Sequence, residues 1–163
     1  MVADHEAVGD RTMTFKLDII GDLHGQLGAL RAVGSRLGYD PGHGWAHPEG
    51  RQLVFLGDLI DRGPHSLEVA ELVMGLVARG RALCLMGNHE YNLVAHWLKI
   101  LPPRYDRPKE ENKATVADMA SRSARWAPVL PFLRDLPLCL ELPGLRLIHA
   151  VAHRPSLEQV VPV

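Results

Sequence analysis

The chain has 163 residues, of which 47% are hydrophobic, a length and composition typical of one globular domain with a sizeable core. Its 18 basic and 19 acidic residues leave a formal charge of −1, which excludes the strong positive field of a protein that binds a nucleic acid duplex or an anionic membrane. No stretch approaches the roughly 18 unbroken apolar residues of a membrane span, and the start lacks the apolar core of a signal peptide, so we expect a cytoplasmic protein.

The first part of the chain predicts a strand followed by a helix. We expect a disordered lead-in at residues 1–14, a domain over residues 15–150 and a tail at residues 151–163. Within the domain, a short apolar run predicts a strand at residues 15–20, and apolar residues at helical spacing predict a helix at residues 25–37. A loop rich in Gly, Pro and His then leads to the next strand.

The same order of elements follows twice more. The apolar run QLVFL predicts a second strand, a helix follows Pro64 and ends before Gly80, and the run ALCLM predicts a third strand. Residues 90–100 are predicted to be helical. Strands that alternate with helices indicate an α/β fold in which neighbouring strands are parallel.

The last third of the chain predicts a helical region and a hairpin. The polar residues 102–113 indicate a solvated excursion, in which we expect no catalytic residue. Residues 115–133 predict one helix or two short ones, broken near Pro128 and Pro131. The runs LPLCLEL and LRLIHA, separated by a Pro-Gly pair, predict a strand hairpin.

Four apolar runs end on polar residues of the kind that bind metal ions. If the four strands are parallel neighbours, their carboxyl ends meet at one edge of the sheet, where open α/β folds bind ligands. Two of these residues flank a single leucine, so in an extended segment their side chains would point to the same side. The residues at this edge would be Asp22, His24, Asp58, Asp61, Asn88, His89 and His149.

Each motif alone has an ordinary structural explanation. A Gly-Asp pair after a strand often forms a turn or a helix N-cap, and an Asp-Arg-Gly run can be a surface ion pair. Glu90 can simply face the positive end of a helix dipole, and a single histidine such as His149 is more often a core residue than a ligand. The joint occurrence of all four motifs at strand ends indicates a metal site, because crowded carboxylates repel one another unless cations neutralise them.

The ligand types limit which metal fits. Carboxylate oxygen, imidazole nitrogen and amide oxygen suit Mn, Fe or Zn better than a metal that prefers thiolate. Cys84 and Cys139 lie inside apolar runs, where a thiol usually behaves as a small buried hydrophobic group. We therefore expect no cysteine ligand.

The motifs GDLHG at residues 21–25, GDLIDRG at residues 57–63 and GNHE at residues 87–90 resemble the signature of the PPP-type metallophosphoesterases. This family includes serine/threonine protein phosphatases and diadenosine tetraphosphatases, and the run GNHEYN looks closest to its bacterial tetraphosphatase-like members. The resemblance extends from about Phe15 to His149. It implies a calcineurin-like α/β sandwich of the αββα type that binds two divalent metal ions, of which Mn is the first expectation and Fe or Zn the alternatives.

The resemblance implies the following metal ligands. Asp22 and His24 would bind the first ion, Asp58 would bridge both ions, and Asn88 and His149 would bind the second.

It also implies how the reaction would proceed. A hydroxide shared by the two ions would attack the phosphoryl group in line. Arg62, whose planar fork matches phosphate, would hold the phosphoryl oxygens together with Asn88. His89, kept protonated by Asp61, would donate a proton to the leaving oxygen.

The sequence departs from the family after His149. The family continues through a long second half that adds a further histidine to the second metal ion and often a further phosphate-binding arginine, whereas this sequence stops at Val163. We expect a fold truncated after the strand that carries His149. His153 is expected to be a solvated loop residue rather than a substitute ligand. Arg154 is likewise not expected to replace the further phosphate-binding arginine of the family. The uncovered sheet face would favour a homo-oligomer or a partner chain.

Two functional hypotheses follow. The first is a two-metal phosphoester hydrolase that acts on a phosphorylated small molecule, a nucleotide or a phosphoprotein, with diadenosine tetraphosphate as the alternative to a phosphoprotein. The second is a weakly active or inactive fragment with a binding role. The motifs contact only the phosphoryl group and the metals, so they do not identify the substrate.

Overall fold

A parallel sheet of three strands lies at the centre of the computed structural model, which describes residues 16–100 and 109–150. Its strands are β1 (Leu17–Ile20), β2 (Gln52–Phe55) and β3 (Ala82–Cys84), in the order β1-β2-β3. All pairings are parallel, so the three strands end at the same edge. The predicted parallel α/β arrangement is therefore confirmed. The expected lead-in and tail, with Phe15, His153 and Arg154, lie outside the described residues.

Helices connect the strands as the sequence predicts. The crossover helices are α1 (Leu27–Arg36) and α2 (Ser66–Ala78), and α3 (Asn88–Trp97) follows β3. The third helix begins earlier than predicted, so Asn88 and His89 lie in its first turn. No helix in the described part of the chain is long and apolar enough to cross a membrane.

The predicted break near Pro128 and Pro131 is wrong. The structure has two helices, α4 (Lys113–Ser121) and α5 (Ser123–Arg134), which separate at Arg122, and both prolines lie inside α5. A proline inside a helix costs roughly 3 kcal/mol. Each large apolar side chain buried from one face of α5, such as Trp126 or Leu133, contributes about 1.5–3 kcal/mol. Packing of this face therefore outweighs the hydrogen bonds that the prolines remove.

Both faces of the parallel sheet are covered by other elements. Leu53 and Phe55 of β2 point into the main core with the helices, whereas Val54 packs on the opposite face with Leu85 and Leu147. The last of these residues belongs to the predicted hairpin, which consists of β4 (Cys139–Leu142) and β5 (Leu145–Ile148). The molecule is thus layered as helices, parallel sheet and hairpin.

The fourth predicted strand does not join the parallel sheet, contrary to expectation. A two-residue turn, in which Gly144 has φ 75°, returns the chain antiparallel, so β5 pairs with β4 in a separate sheet. This hairpin covers only part of the parallel sheet, and Ile19 on β1 remains 47% exposed. Association through this face stays a prediction.

Asp18 connects the sheet to the segment between α1 and β2. Its carboxylate accepts hydrogen bonds from Arg51 Nε at 2.7 Å and from the Tyr39 hydroxyl at 2.8 Å. The hydrogen bond from Arg51 holds the pKa of Asp18 below its usual range. Because the folded pKa lies below the unfolded one, the ionised carboxylate stabilises the fold above the unfolded pKa, and this stabilisation is lost as the pH falls through the folded pKa.

Replacing Asp18 should therefore destabilise the protein in a pH-dependent way. We expect Asp18→Asn to lower the free energy of unfolding at pH 7 and to have a smaller effect well below the unfolded carboxylate pKa of about 3.9. Urea unfolding at both pH values measures this difference. Glu49→Gln, which removes an exposed carboxylate of the same region, serves as the control and should change little at either pH. If Asp18→Asn lowered the free energy of unfolding equally at both pH values, the stabilising role of the ionised Asp18 carboxylate would be contradicted.

Candidate metal centre

The residues predicted to meet at one sheet edge lie together around Asp58. The distances from Asp58 carboxylate oxygens to the Nε2 atoms of His24, His89 and His149 are 3.9, 3.9 and 3.4 Å. The Nε2 atom of His24 lies 3.7 Å from Asp22 Oδ2. The chain therefore brings the ends of β1, β2 and β3 and the end of the hairpin to one centre.

Two groups of possible ligand atoms share the Asp58 carboxylate. One group consists of His24, Asp58 and His89, the other of Asp22, Asp58 and His149, and within each group the atoms lie within 4.8 Å of one another. The amide oxygen of Asn88 is 3.1 Å from His149 Nε2 and so adjoins the second group. Carboxylate, imidazole and amide donors at these separations fit hard divalent cations.

This grouping differs in one respect from the pairing that the family resemblance implies. His24 lies in a group with His89 rather than with Asp22, while Asp22 lies in a group with His149. The shared position of Asp58 agrees with a bridging role. Which residue binds which ion stays a prediction.

The three histidine rings are oriented so that their Nε2 atoms face the centre. Nδ1 of His24 lies 3.0 Å from the Ile60 carbonyl oxygen, and Nδ1 of His149 lies 2.9 Å from the Leu56 carbonyl oxygen. A carbonyl oxygen accepts a hydrogen bond from Nδ1–H, and in this tautomer the lone pair lies on Nε2, the form that binds a metal. His89 differs, because its Nδ1 lies 2.7 Å from the Asp61 carboxylate rather than from a backbone carbonyl oxygen.

The loop after β2 has an unusual backbone. Asp58, Asp61 and Arg62 have φ angles of 52°, 70° and 62°, a left-handed conformation that is uncommon for residues other than glycine. The Asp58 carbonyl oxygen also accepts hydrogen bonds at 2.9 Å from the N–H groups of Leu23 and His24. The loop therefore fixes the neighbouring loop after β1.

Asp22 and His24 point to the same centre for a different reason than predicted. An extended segment would place both side chains on one side, but His24 has φ 43° and lies in a turn. The turn forms because the N–H groups of Leu23 and His24 converge on the Asp58 carbonyl oxygen. The prediction that Asp22 and His24 face the same centre is correct, whereas the extended backbone assumed for this segment is wrong.

Glu90 is a site residue that the sequence analysis missed. It is fully buried, and its carboxylate accepts hydrogen bonds from the N–H groups of Asp58 at 2.7 Å, Leu59 at 2.9 Å and Gly87 at 3.0 Å. Burial raises the pKa of Glu90, and the N–H donors oppose that effect. The sequence showed only an acidic residue in the first turn of a helix, and no pattern indicated a contact with the distant loop after β2.

Close approach of two loops explains the glycines of the motifs. A Cβ atom at Gly57 would lie 2.3 Å from the Gly87 backbone nitrogen, and one at Gly87 would lie 2.2 Å from Asp58 Oδ1. Only glycine leaves room for the Glu90 carboxylate to reach both loops. These positions are thus required for packing at the centre.

Comparison with known proteins gives a consistent result. A model of the calcineurin-like phosphoesterase family matches residues 15–158. The asymmetrical bis(5'-nucleosyl)-tetraphosphatase PrpE of Anoxybacillus flavithermus is 33% identical over 144 residues, which are 79% of this chain and 57% of the relative. The protein of the same name from Bacillus subtilis is 33% identical over 140 residues, again 79% of this chain and 57% of the relative.

A solved structure shows the same fold. It belongs to a protein provisionally assigned as a diadenosine tetraphosphatase, and it matches with a TM-score of 0.57 and 24% identity over 87% of this chain and 53% of that chain. The chain described here therefore spans little more than half the length of these relatives.

Glu90→Gln tests whether the buried carboxylate holds the centre together. A glutamine has one acceptor oxygen and would turn an NH₂ group toward buried N–H donors, so we expect a loss of about 2–4 kcal/mol in the free energy of unfolding. Urea unfolding measures the change. Glu71→Gln, at an exposed ion pair on α2, is the matched control and should cost at most about 1 kcal/mol. Equal effects of the two substitutions would contradict the role given to Glu90.

Proposed function

The chain belongs to the calcineurin-like phosphoesterase family, and from that premise we propose that it acts as a metal-dependent phosphoester hydrolase. The observation that carries the proposal is the buried Asp58 carboxylate, which two groups of ligand atoms share. Two divalent ions, with Mn as the first candidate and Fe or Zn as alternatives, would be held by Asp22, His24, Asp58, Asn88 and His149. When bound, such ions acidify a water molecule for in-line attack and neutralise the phosphoryl oxygens.

Arg62 is the proposed phosphate-binding residue. Its Nη1 lies 2.7 Å from His24 Nε2 and its Nη2 lies 3.4 Å from His89 Nε2. The guanidinium therefore borders both histidines while half of its side chain is exposed to solvent. A planar fork in this position presents paired N–H donors to phosphoryl oxygens.

His89 is the proposed general acid. Asp61 lies on its Nδ1 side, and both side chains are almost completely buried. A buried carboxylate partner accepts a hydrogen bond from Nδ1–H and fixes the ring, so that Nε2 can face the leaving oxygen and give it a proton. The position of Nε2 toward Asp58 also permits metal binding. We assign proton donation because the Asp61 carboxylate holds the ring with Nε2 toward the centre.

The names of the relatives support a nucleotide substrate. The two curated relatives are bis(5'-nucleosyl)-tetraphosphatases, and on this basis we propose a dinucleoside polyphosphate ahead of a phosphoprotein. Metal binding without turnover is the second candidate function, which the two groups of ligand atoms around Asp58 would support by themselves.

Replacing the general acid should remove turnover and leave the metals in place. We expect His89→Asn to lower the rate of diadenosine tetraphosphate hydrolysis by about 10²–10⁴-fold. Chromatography of the reaction products measures this rate. The Mn content per chain, measured by elemental analysis, should stay at the wild-type value. His65→Asn, at an exposed histidine before α2, is the control and should hydrolyse the substrate at the wild-type rate. A loss of metal from His89→Asn would instead assign His89 as a ligand, and unchanged turnover would exclude it as the acid.

Asp58→Asn should be the most damaging ligand substitution. Because Asp58 lies in both ligand groups and Asp22 in one, we expect Asp58→Asn to lose affinity for both ions and Asp22→Asn for one. Titration of the metal-free chain with Mn²⁺ gives the stoichiometry of each variant. Retention of two tightly bound ions by Asp58→Asn would contradict the bridging assignment.

A further inference from the structure

Arg62 is held by a segment that the sequence analysis left without a catalytic role. Its backbone N–H donates to the Glu111 carbonyl oxygen at 3.0 Å, and its Nη2 lies 3.4 Å from Glu111 Oε2. Glu111 thus contacts both the backbone and the guanidinium of the proposed phosphate-binding residue. It is the last acidic residue before α4, in the polar segment predicted to be a solvated excursion.

The turn that carries Glu111 is itself fixed to the site. The N–H groups of Asn112 and Lys113 donate to the Lys109 carbonyl oxygen at 3.1 and 2.9 Å, which closes the turn. One turn further, the buried Thr115 of α4 has its hydroxyl 3.2 Å from that of Ser66. The start of α4 is therefore not a loose surface segment.

Ser66 links this anchor to the loop that carries Arg62. Its hydroxyl oxygen accepts a hydrogen bond at 2.9 Å from the Asp61 N–H. The backbone of Asp61 is thus connected to α4 through Ser66 and Thr115, and the backbone of Arg62 through the Glu111 carbonyl oxygen. Asp61 and Arg62, which are consecutive in the loop after β2, are therefore both connected to the segment that begins α4.

Arg62 needs such a contact because its long side chain is half exposed. The guanidinium already contacts the His24 ring beside the carboxylates of Asp22 and Asp58. A side chain of this kind has many rotamers, and in most of them its N–H groups would not face a phosphoryl group at the centre. Glu111 supplies a negative charge outside the groups of ligand atoms.

We propose that Glu111 is a positioning residue that orients the Arg62 guanidinium for binding a phosphoryl group, an inference that rests on the proposed hydrolase function. The Glu111 carboxylate would also repel the phosphoryl oxygens, and this repulsion opposes any gain in phosphate affinity from positioning. Both side chains are substantially exposed, at 52% for Arg62 and 40% for Glu111, so solvent screens that repulsion. Solvent also screens the attraction between Glu111 and Arg62, but these two groups are in direct contact at 3.4 Å, so we expect positioning to be the larger effect.

The affinity of the Mn²⁺-loaded chain for inorganic phosphate tests the proposal. We expect Glu111→Gln to weaken binding by about twofold to fivefold, the range for one exposed charged contact, as measured by calorimetric titration up to millimolar phosphate. Glu110→Gln removes the same charge from the neighbouring exposed residue and should change the affinity less. In an Arg62→Ala background, Glu111→Gln should cause no further weakening. Thermal unfolding of each variant distinguishes a general loss of structure, which would lower the melting temperature, from the expected local effect.

The possible outcomes separate this inference from the function on which it rests. Unchanged or tighter phosphate binding by Glu111→Gln, with normal binding by the wild type, would overturn the positioning role alone. Weakening that persists in the Arg62→Ala background would also overturn it, because the effect would not pass through Arg62. A wild-type chain that neither binds phosphate with Mn²⁺ nor hydrolyses diadenosine tetraphosphate would overturn the proposed function, and the inference with it.

Discussion

The geometry of the metal centre depends on the buried carboxylate of Glu90. Its hydrogen bonds to the N–H groups of Asp58, Leu59 and Gly87 join the loop after β2 to the start of α3. A left-handed backbone costs on the order of 1–3 kcal/mol for each residue other than glycine and persists only where its surroundings hold it. Glu90 supplies that support at Asp58, which has φ 52°. One side chain thus places the shared carboxylate and the helix turn that carries Asn88 and His89.

The loop after β2 also orients the proposed ligands that come from other elements. Its carbonyl oxygens at Leu56 and Ile60 lie beside Nδ1 of His149 and His24, so the segment that carries the shared carboxylate also sets the two rings. This explains how a histidine from a separate sheet reaches the centre. The hairpin packs Leu147 against the parallel sheet, and the next loop residues bring His149 to the same edge.

The sequence predicted what depends on short segments and could not predict what depends on distant contacts. Apolar runs ending in glycine located the strands and the residues at their ends, because strand direction alone brings parallel carboxyl ends together. It missed Glu90 and Glu111, whose partners lie far away along the chain. It also placed a helix break at the prolines, because the burial of Trp126 that stabilises α5 is a tertiary effect. The antiparallel pairing of the hairpin was predicted, but its separation from the parallel sheet was not.

The central claim is that one carboxylate lies between two cations. Anomalous scattering at the Mn absorption edge, recorded from crystals of the full chain grown with Mn²⁺, tests it most directly. We expect two peaks, one on each side of the Asp58 carboxylate, with His24 near one peak and His149 near the other. A single peak, or two peaks of which only one adjoins Asp58, would contradict it.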